Sequence, residues 1–334
     1  MGRQFLNVRY QNTTMLGWII YKHTQVDLTP EAYEINRLTK VAKDQGIELR
    51  VIRPEQVDLI VTREDRKSIQ LDGQPTALPD FVLPRMGAGT TYFALAVIRH
   101  LERLGVNCFN ASSAIDTVKD KLFTHQILAE NNIPVPKTML AKFPLDVDMV
   151  RRHFGFPLVV KTLSGSQGKG VFLSQSEKEF TDLIQLVEVT NPSTNMIIQE
   201  FVETSLGRDI RVLTLGGRAI AAMERTATGS DFKANFSAGG QVSSIEITPE
   251  IEWMASEASR ILGLDVAGVD LLYDGDHFKV CEVNSSPGFE GLEKCCKLDV
   301  PKEIFHYLKV RLGMFPTNSE QGGGGQAATR SEST

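Results

Sequence analysis

Over the first hundred residues, short apolar runs alternate with longer amphipathic ones. "MLGWIIYKH" (Met15–His23) is apolar, aromatic and β-branched, which predicts a buried strand. "TPEAYEINRLTKVAKDQGI" then predicts a helix, with Thr29 as N-cap, Pro30 at its first position and Gly46 as its stop. "ELRVIRP" and "DFVLPRM" (Asp80–Met86) predict two more strands, followed by the helix "TYFALAVIRHLERLG" and the strand "VNCFN". Strands alternating with helices build a parallel-sheet α/β unit, placed here at residues 15–111. Residues 1–14 precede the first periodic element and read as an extension or a mistaken start, since Met15 would open the strand naturally.

The pattern then changes. "SAIDTVKDKLFTHQILAENN" predicts one capped helix, from which "IPVPKTML" leads out. "FPLVVKTL" (Phe156–Leu163) predicts a strand, "GSQGKG" a glycine-rich turn and "VFLS" the returning strand. "MIIQEFV", "DIRVLTLGGRAIAAMERT" and "VAGVDLLYDGDHFKVCEVN" predict mostly antiparallel β-structure, with helices at 249–262 and 300–312. After Phe315 the chain reads "PTNSEQGGGGQAATRSEST"; four consecutive glycines and no large apolar residue predict a disordered tail at 315–334.

Composition narrows the classes. The 334 residues are 42% hydrophobic and 23% charged, ordinary for a soluble enzyme with a large core. A net charge of -5 argues against a broad nucleic-acid footprint, so no nucleic-acid partner is expected. No apolar run is long enough to span a membrane and the start carries no clear signal-peptide core, so the expected location is cytoplasmic. Cys108, Cys281, Cys295 and Cys296 show no metal-type pairing; adjacent Cys295 and Cys296 could form a strained bridge, but free thiols suit a reducing compartment better.

Three constellations could carry chemistry. In "GVDLLYDGDHFKVCEVN" a three-residue turn centred on Asp276 would set Asp274 opposite Phe278, Leu272 opposite Val280 and Asp270 opposite Glu282. Asn284 lies two residues on, hence on the same face. Facing carboxylates repel unless a cation or proton is shared, and three hard oxygen ligands suit Mg²⁺. A solvated strand end is the alternative, and a slip of one residue would remove the facing pair. In "VVKTLSGSQGKGV", Lys161 ends a strand and the loop Ser164–Gly170 could admit a polyphosphate; a flexible turn is the alternative, and the loop is not a Walker A motif. Finally, Glu200 ends a β-rich stretch that could read an adenine edge, Asp209 and Arg211 share a strand face, Arg225 closes the next strand, and a polar loop passes through Lys233 and Asn235. Converging arginines suit phosphoryl transfer, and surface ion pairing, for instance Asp209 with Arg211, is the bland reading. The six histidines are scattered, and neither HExxH nor GxSxG occurs, which disfavours zinc and serine chemistry.

In this order, "FVLPRMGAGTTYFALAVIRHLERLGV", "DKLFTHQILAENNIPVPKT", "PLVVKTLSGSQGKGVFL", "QEFV", "GRDIRVLTLGG", "ERTATGSDFKANFSAGG", "DVAGVDLL" and "CEVNSSPGFEGLEK" resemble the ATP-grasp superfamily and, within it, the RimK family of α-L-glutamate ligases. The resemblance covers about residues 15 to 312. It implies an α/β (α+β) ATP-grasp fold: an N-terminal Rossmann-like parallel domain at 15–111, a central lid-bearing subdomain at 112–199 and a C-terminal antiparallel-sheet subdomain at 200–314, with ATP between the latter two. By the same resemblance Lys121 and Lys161 would contact ATP phosphates, with Ser166, Gly168, Gly170 and Lys233 also on ATP. Glu200 and Phe201 would bracket the adenine, and Asp209 the ribose. Asp270, Glu282 and Asn284 would hold Mg²⁺ or Mn²⁺, as two ions. Arg211, Arg225 and Asn235 would face the reacting groups, while Arg85, Ser286 and Gly288 would face substrate. The implied activity is addition of L-glutamate to an acceptor carboxylate, a protein C-terminus or a polyglutamate chain, through an acyl-phosphate. The alternatives are a small-molecule acceptor, or an ATP-binding regulator without catalysis. A homo-oligomer, tetramer or dimer, is implied as well. The first 14 residues and the glycine-rich tail are no part of the pattern.

Overall fold

Trp18, Ile19 and Ile20 are consecutive and all fully buried, so their strand is covered on both faces, as strands of a parallel sheet are. The computed structural model describes residues 14–22, 30–61, 63, 69–163, 170–191, 193–228 and 239–314. Thr29, residues 164–169, most of the 1–14 extension and the 315–334 tail lie outside the described residues.

The chain begins with β1 (Leu16–Ile20), α1 (Pro30–Asp44) and β2 (Glu48–Ile52). A small antiparallel meander follows: β3 (Val57–Leu59), β4 (Ile69–Leu71) and β5 (Gln74–Pro75). Then come β6 (Phe81–Pro84), α2 (Tyr92–Arg103) and β7 (Asn107–Cys108). The sheet is parallel in the order β2-β1-β6-β7, with Ile19 level with Val51 and Leu83. Side chains alternate across it: Trp18, Ile20 and Val82 pack with Ala94, Leu95 and Ile98 of α2, while Ile19, Phe81 and Leu83 pack with Ile35 and Leu38 of α1. A Cβ on Gly17 would lie 2.2 Å from Cζ of Phe81, so the missing side chain is what lets that ring lie across β1.

The expected single helix after Asn110 is two: α3 (Ser112–Lys119) and α4 (Lys121–Glu130). Asp120 breaks it, because its backbone is extended while its carboxylate accepts from Phe123 N at 3.0 Å, capping α4. Next are β8 (Thr138–Leu140), α5 (Val147–Phe154), β9 (Leu158–Thr162), β10 (Val171–Ser174), α6 (Glu177–Thr190) and β11 (Met196–Glu200). They form an antiparallel sheet in the order β10-β9-β11-β8. Val150 of α5, and Phe180 and Ile184 of α6, pack on it in a cluster with Leu158, Val160 and Ile198.

The last part runs β12 (Arg208–Leu215), β13 (Arg218–Thr226), β14 (Gln241–Ser244), α7 (Pro249–Ile261), β15 (Val266–Asp274), β16 (His277–Asn284), α8 (Glu290–Cys296) and α9 (Val300–Arg311). Its sheet is antiparallel in the order β14-β13-β12-β15-β16. One face, with Val212, Val269, Leu271, Val280 and Val283, packs under α7. On the other, Leu213, Leu215 and Met223 share a core with α8, α9 and the first sheet, where Phe305 meets Phe81 edge to face. Among the described residues no helix is long and apolar enough to cross a membrane.

Candidate active site

The strands of the last sheet carry charge on one stretch of a single face. Arg225 of β13 forks onto Asp209 of β12, Nε to Oδ1 at 2.6 Å and a terminal nitrogen to Oδ2 at 2.7 Å. Arg211, next outward-facing residue of β12, forks onto Asp270 of β15 at 2.7 Å for both bonds. Arg225 also reaches Asp270 Oδ2 at 3.0 Å, which joins the two pairs into one lattice. Arg225 and Asp270 are buried, at 4% and 5% exposure, so these bonds act in a low-dielectric setting. Burial alone would raise the Asp270 carboxyl, but the Arg211 and Arg225 charges outweigh it and hold it below the usual range. Asp209 moves the other way: burial, helped by the Asp270 charge, pushes it up against the pull of Arg225.

Glu282 of β16 stands directly opposite Asp270, and Asn284 opposite Gly268. The expected three-residue turn is wrong. Asp274 pairs with His277 and Leu272 with Lys279, so only Gly275 and Asp276 make the turn. A β-bulge at Cys281 restores the facing acids, since Leu271 pairs with Val280 and the next pair is Asp270 with Glu282. The sequence holds the signal in its apolar positions: Phe278 and Val280 are two apart, Val280 and Val283 three. A regular strand cannot place all three on the core face.

Among the described residues Glu282 makes no hydrogen bond or ion pair, and Asn284 Nδ2 is buried with no partner. The two ends of an amide occupy interchangeable positions, so this site can equally present an oxygen. Among the described residues no three His, Cys, Asp or Glu side chains converge to hold a metal; a cation here would take an amide oxygen as its third ligand. The donor set is hard throughout, and among the described residues Asp270 Oδ1 accepts only from Arg211 Nε, which leaves it a lone pair. These residues fit Mg²⁺ or Mn²⁺.

The smaller sheet closes against this one along β16. Lys161, near the end of β9, points its Nζ to within 3.6 Å of Cys281 Sγ. Glu200, the last residue of β11, is ion-paired to Lys279, which lies 3.2 Å from Asp274. Val280 N donates to Pro134 O at 2.8 Å. The lattice therefore lies beside the line along which the two sheets meet, and the space between them is the candidate cleft.

The RimK-like ATP-grasp domain family matches residues 118–308, and the RimK PreATP-grasp domain family matches residues 27–115. A protein of Legionella pneumophila (strain Corby) named "Probable alpha-L-glutamate ligase" is 36% identical over 290 residues, covering 86% of this chain and 95% of its own length. One of the same name from Rhodopirellula baltica is 37% identical over 289 residues, covering 85% and 70%. The chain belongs to the RimK-like ATP-grasp family. Its fold is that of ATP-grasp ligases: the ligase PsnB, solved with a phosphomimetic variant of its minimal precursor, Mg and ADP, superposes with a TM-score of 0.69 at 21% identity, covering 88% of this chain and 98% of that one. The protein is a RimK-like carboxylate–amine ligase.

Within this RimK-like chain the remaining expected residues fall as follows. Lys121 is the first residue of α4 and half-buried; Phe201 follows β11 and is half-buried; Gly170, at φ +75, leads into β10. Ser166, Gly168, Lys233 and Asn235 lie outside the described residues. Ser286 and Gly288 belong to the segment between β16 and α8, which folds back over the sheet. A Cβ on Gly268 would come within 2.7 Å of Pro287 Cβ and 3.8 Å of Arg211 Nε, so that glycine makes room for the fold-back beside the lattice.

Three side chains from the first sheet's region hold the segment. Arg85 donates to Pro287 O at 2.7 Å and lies over the Phe289 ring. Glu34, buried on α1, accepts from Phe289 N at 2.8 Å and Glu290 N at 3.2 Å. Asn110 donates to Ser285 O and Val266 O, both at 2.7 Å, and accepts from Asp265 N at 2.6 Å and Val266 N at 2.8 Å. Sequence reasoning missed Glu34 and Asn110. Glu34 leaves only the faint signal of an acid beside the buried positions Ala32 and Ile35, and Asn110 leaves none.

Proposed function

We propose that the protein uses ATP to join the amino group of L-glutamate to an acceptor carboxylate on a peptide C-terminus or a growing glutamate chain. The facing pair Asp270 and Glu282, with Asn284 beside them in the cleft, is the observation that carries this reading. The names of the relatives support glutamate as the amine. Asp270, Glu282 and Asn284 would hold Mg²⁺ (or Mn²⁺), which when bound supplies positive charge to the phosphate oxygens. Lys161 and Lys121 would neutralise further phosphate charge, and Glu200 and Phe201 would line the adenine end. Arg211 and Arg225 keep Asp270 ionised and fixed in direction.

In the reaction proposed, an acceptor carboxylate oxygen bonds to the γ-phosphorus and the bond to ADP breaks. The glutamate nitrogen then bonds to the acyl carbon, phosphate leaves with the electron pair, and the amine's proton passes to phosphate or solvent. No side chain becomes a covalent nucleophile. The chain contributes position and charge, worth several powers of ten together. Closure of the smaller sheet would keep water from the activated acyl group.

Glu282→Gln tests the metal assignment. With no partner lost among the described residues, the variant is expected to fold and melt like the parent, while ATP-dependent ADP release falls by at least ~100-fold. Turnover near the parent level in a folded variant overturns the assignment.

A further inference from the structure

The bulge at Cys281 decides where Glu282 points. Continued without it, the register from Asp274–His277 to Leu271–Val280 would set Asp270 opposite Cys281 and Val269 opposite Glu282. Glu282 and Asn284 would then point into the core beneath α7. A bulge gives up ladder hydrogen bonds, and the backbone groups it frees need other partners.

For Cys281 O, which a regular strand would turn toward β15, the partner comes from outside the sheet. Beside the Val280 N bond to Pro134 O, Cys281 O lies 3.0 Å from His125 Nε2. His125 is on α4 and only 5% exposed. Its Nδ1 is 3.0 Å from Thr138 Oγ1, and Gln199 Nε2 lies 2.9 Å from that hydroxyl and 3.4 Å from Nδ1. A carbonyl only accepts, so Nε2 carries the hydrogen and Nδ1 is the acceptor. Gln199 has two hydrogens to give, and Thr138 one, shared between Nδ1 and Pro136 O at 2.8 Å. The set closes around a neutral ring, in keeping with burial, which lowers the His125 pKa. Nothing else in the proposed chemistry uses this histidine.

We propose that His125, set by Thr138 and Gln199, is a positioning residue that holds the Cys281 bulge and so aims Glu282 and Asn284 into the cleft. The inference rests on the reading of those two as metal ligands; the bulge itself does not. His125 touches neither ligand, and acts through the backbone of Cys281, which immediately precedes Glu282.

The test compares His125→Leu with His125→Gln, whose amide nitrogen can replace Nε2 as donor. Amide hydrogen exchange across residues 279–284 is read first, then Mn²⁺ affinity in the presence of a non-hydrolysable ATP analogue. In His125→Leu, exchange in that stretch should quicken about fivefold, the measure of one lost hydrogen bond, with β12 and β13 unchanged. Mn²⁺ affinity should fall ~10-fold or more while metal-free nucleotide affinity holds, and His125→Gln should recover most of both losses. Unchanged exchange at 279–284, or a His125→Gln as impaired as His125→Leu, overturns the proposal. If His125→Leu does not fold, Thr138→Val replaces it, with the same outcomes at smaller size. Should the parent bind no Mn²⁺ at all, the metal reading fails, and exchange alone decides whether His125 holds the bulge.

Discussion

Asp270 and Glu282 stand opposite each other, yet their surroundings differ. Asp270 takes three guanidinium bonds in a buried place, and Glu282 takes none from the described residues. Asp270→Asn should therefore cost about 3–5 kcal/mol, because it leaves the buried Arg225 and the half-buried Arg211 short of charge. Glu282→Gln should cost less than about 0.5 kcal/mol. Urea melts of the two variants check this, and equal losses would contradict it. His125 adds a pH dependence. Burial depresses its pKa most, Lys161 adds to that, and Cys281 O and Glu282 oppose it. Below about pH 6.5 the unfolded ring takes up a proton that the folded ring refuses, so stability falls as pH falls. Melts at pH 7.5 and pH 5.5 should show the parent losing more stability than His125→Gln; equal losses would contradict a buried neutral ring. At this scale the facing acids were legible in the sequence, but through a turn one residue too long. Two errors cancelled: the missed two-residue turn and the missed bulge each shift register by one.

At the scale of elements, legibility followed periodicity. β1, α1, β6 and α2 fall close to where their apolar patterns put them. The split between α3 and α4 was hidden because the pattern runs on across Asp120, and only a side-chain cap interrupts it. α5 and α6 had caps to read, Asp146 and Ser176, but lie between strands of one sheet and were passed over. The close approach of β1 to β6 makes its own prediction. Gly17→Ala would drive a methyl into the Phe81 ring, itself packed on Phe305. Such overpacking should cost about 1–3 kcal/mol in a urea melt; an unchanged midpoint would contradict the observed ring position.

At the scale of the molecule, two of the three main sheets share a core and one does not. Leu213, Leu215 and Met223 of the last sheet join Ile19, Phe81 and Phe305 in one cluster, whereas Val150, Phe180 and Ile184 belong to the smaller sheet's own. The first sheet is thus fixed to the acid lattice, and Glu34, Arg85 and Asn110 fix the fold-back segment beside it. The smaller sheet meets β16 through polar contacts, among them Lys161 with Cys281 and Glu200 with Lys279. Which carboxylate enters was never legible, since acceptor choice depends on loop shape rather than on motif. The central claim is that this cleft spends ATP to attach glutamate. It is tested most directly by ADP release with each amino acid in turn, alone and with a short peptide bearing a free C-terminal carboxylate, followed by mass spectrometry of the products. The account predicts release that depends on L-glutamate, with products heavier by whole glutamate residues; release driven by a different amino acid alone would contradict it.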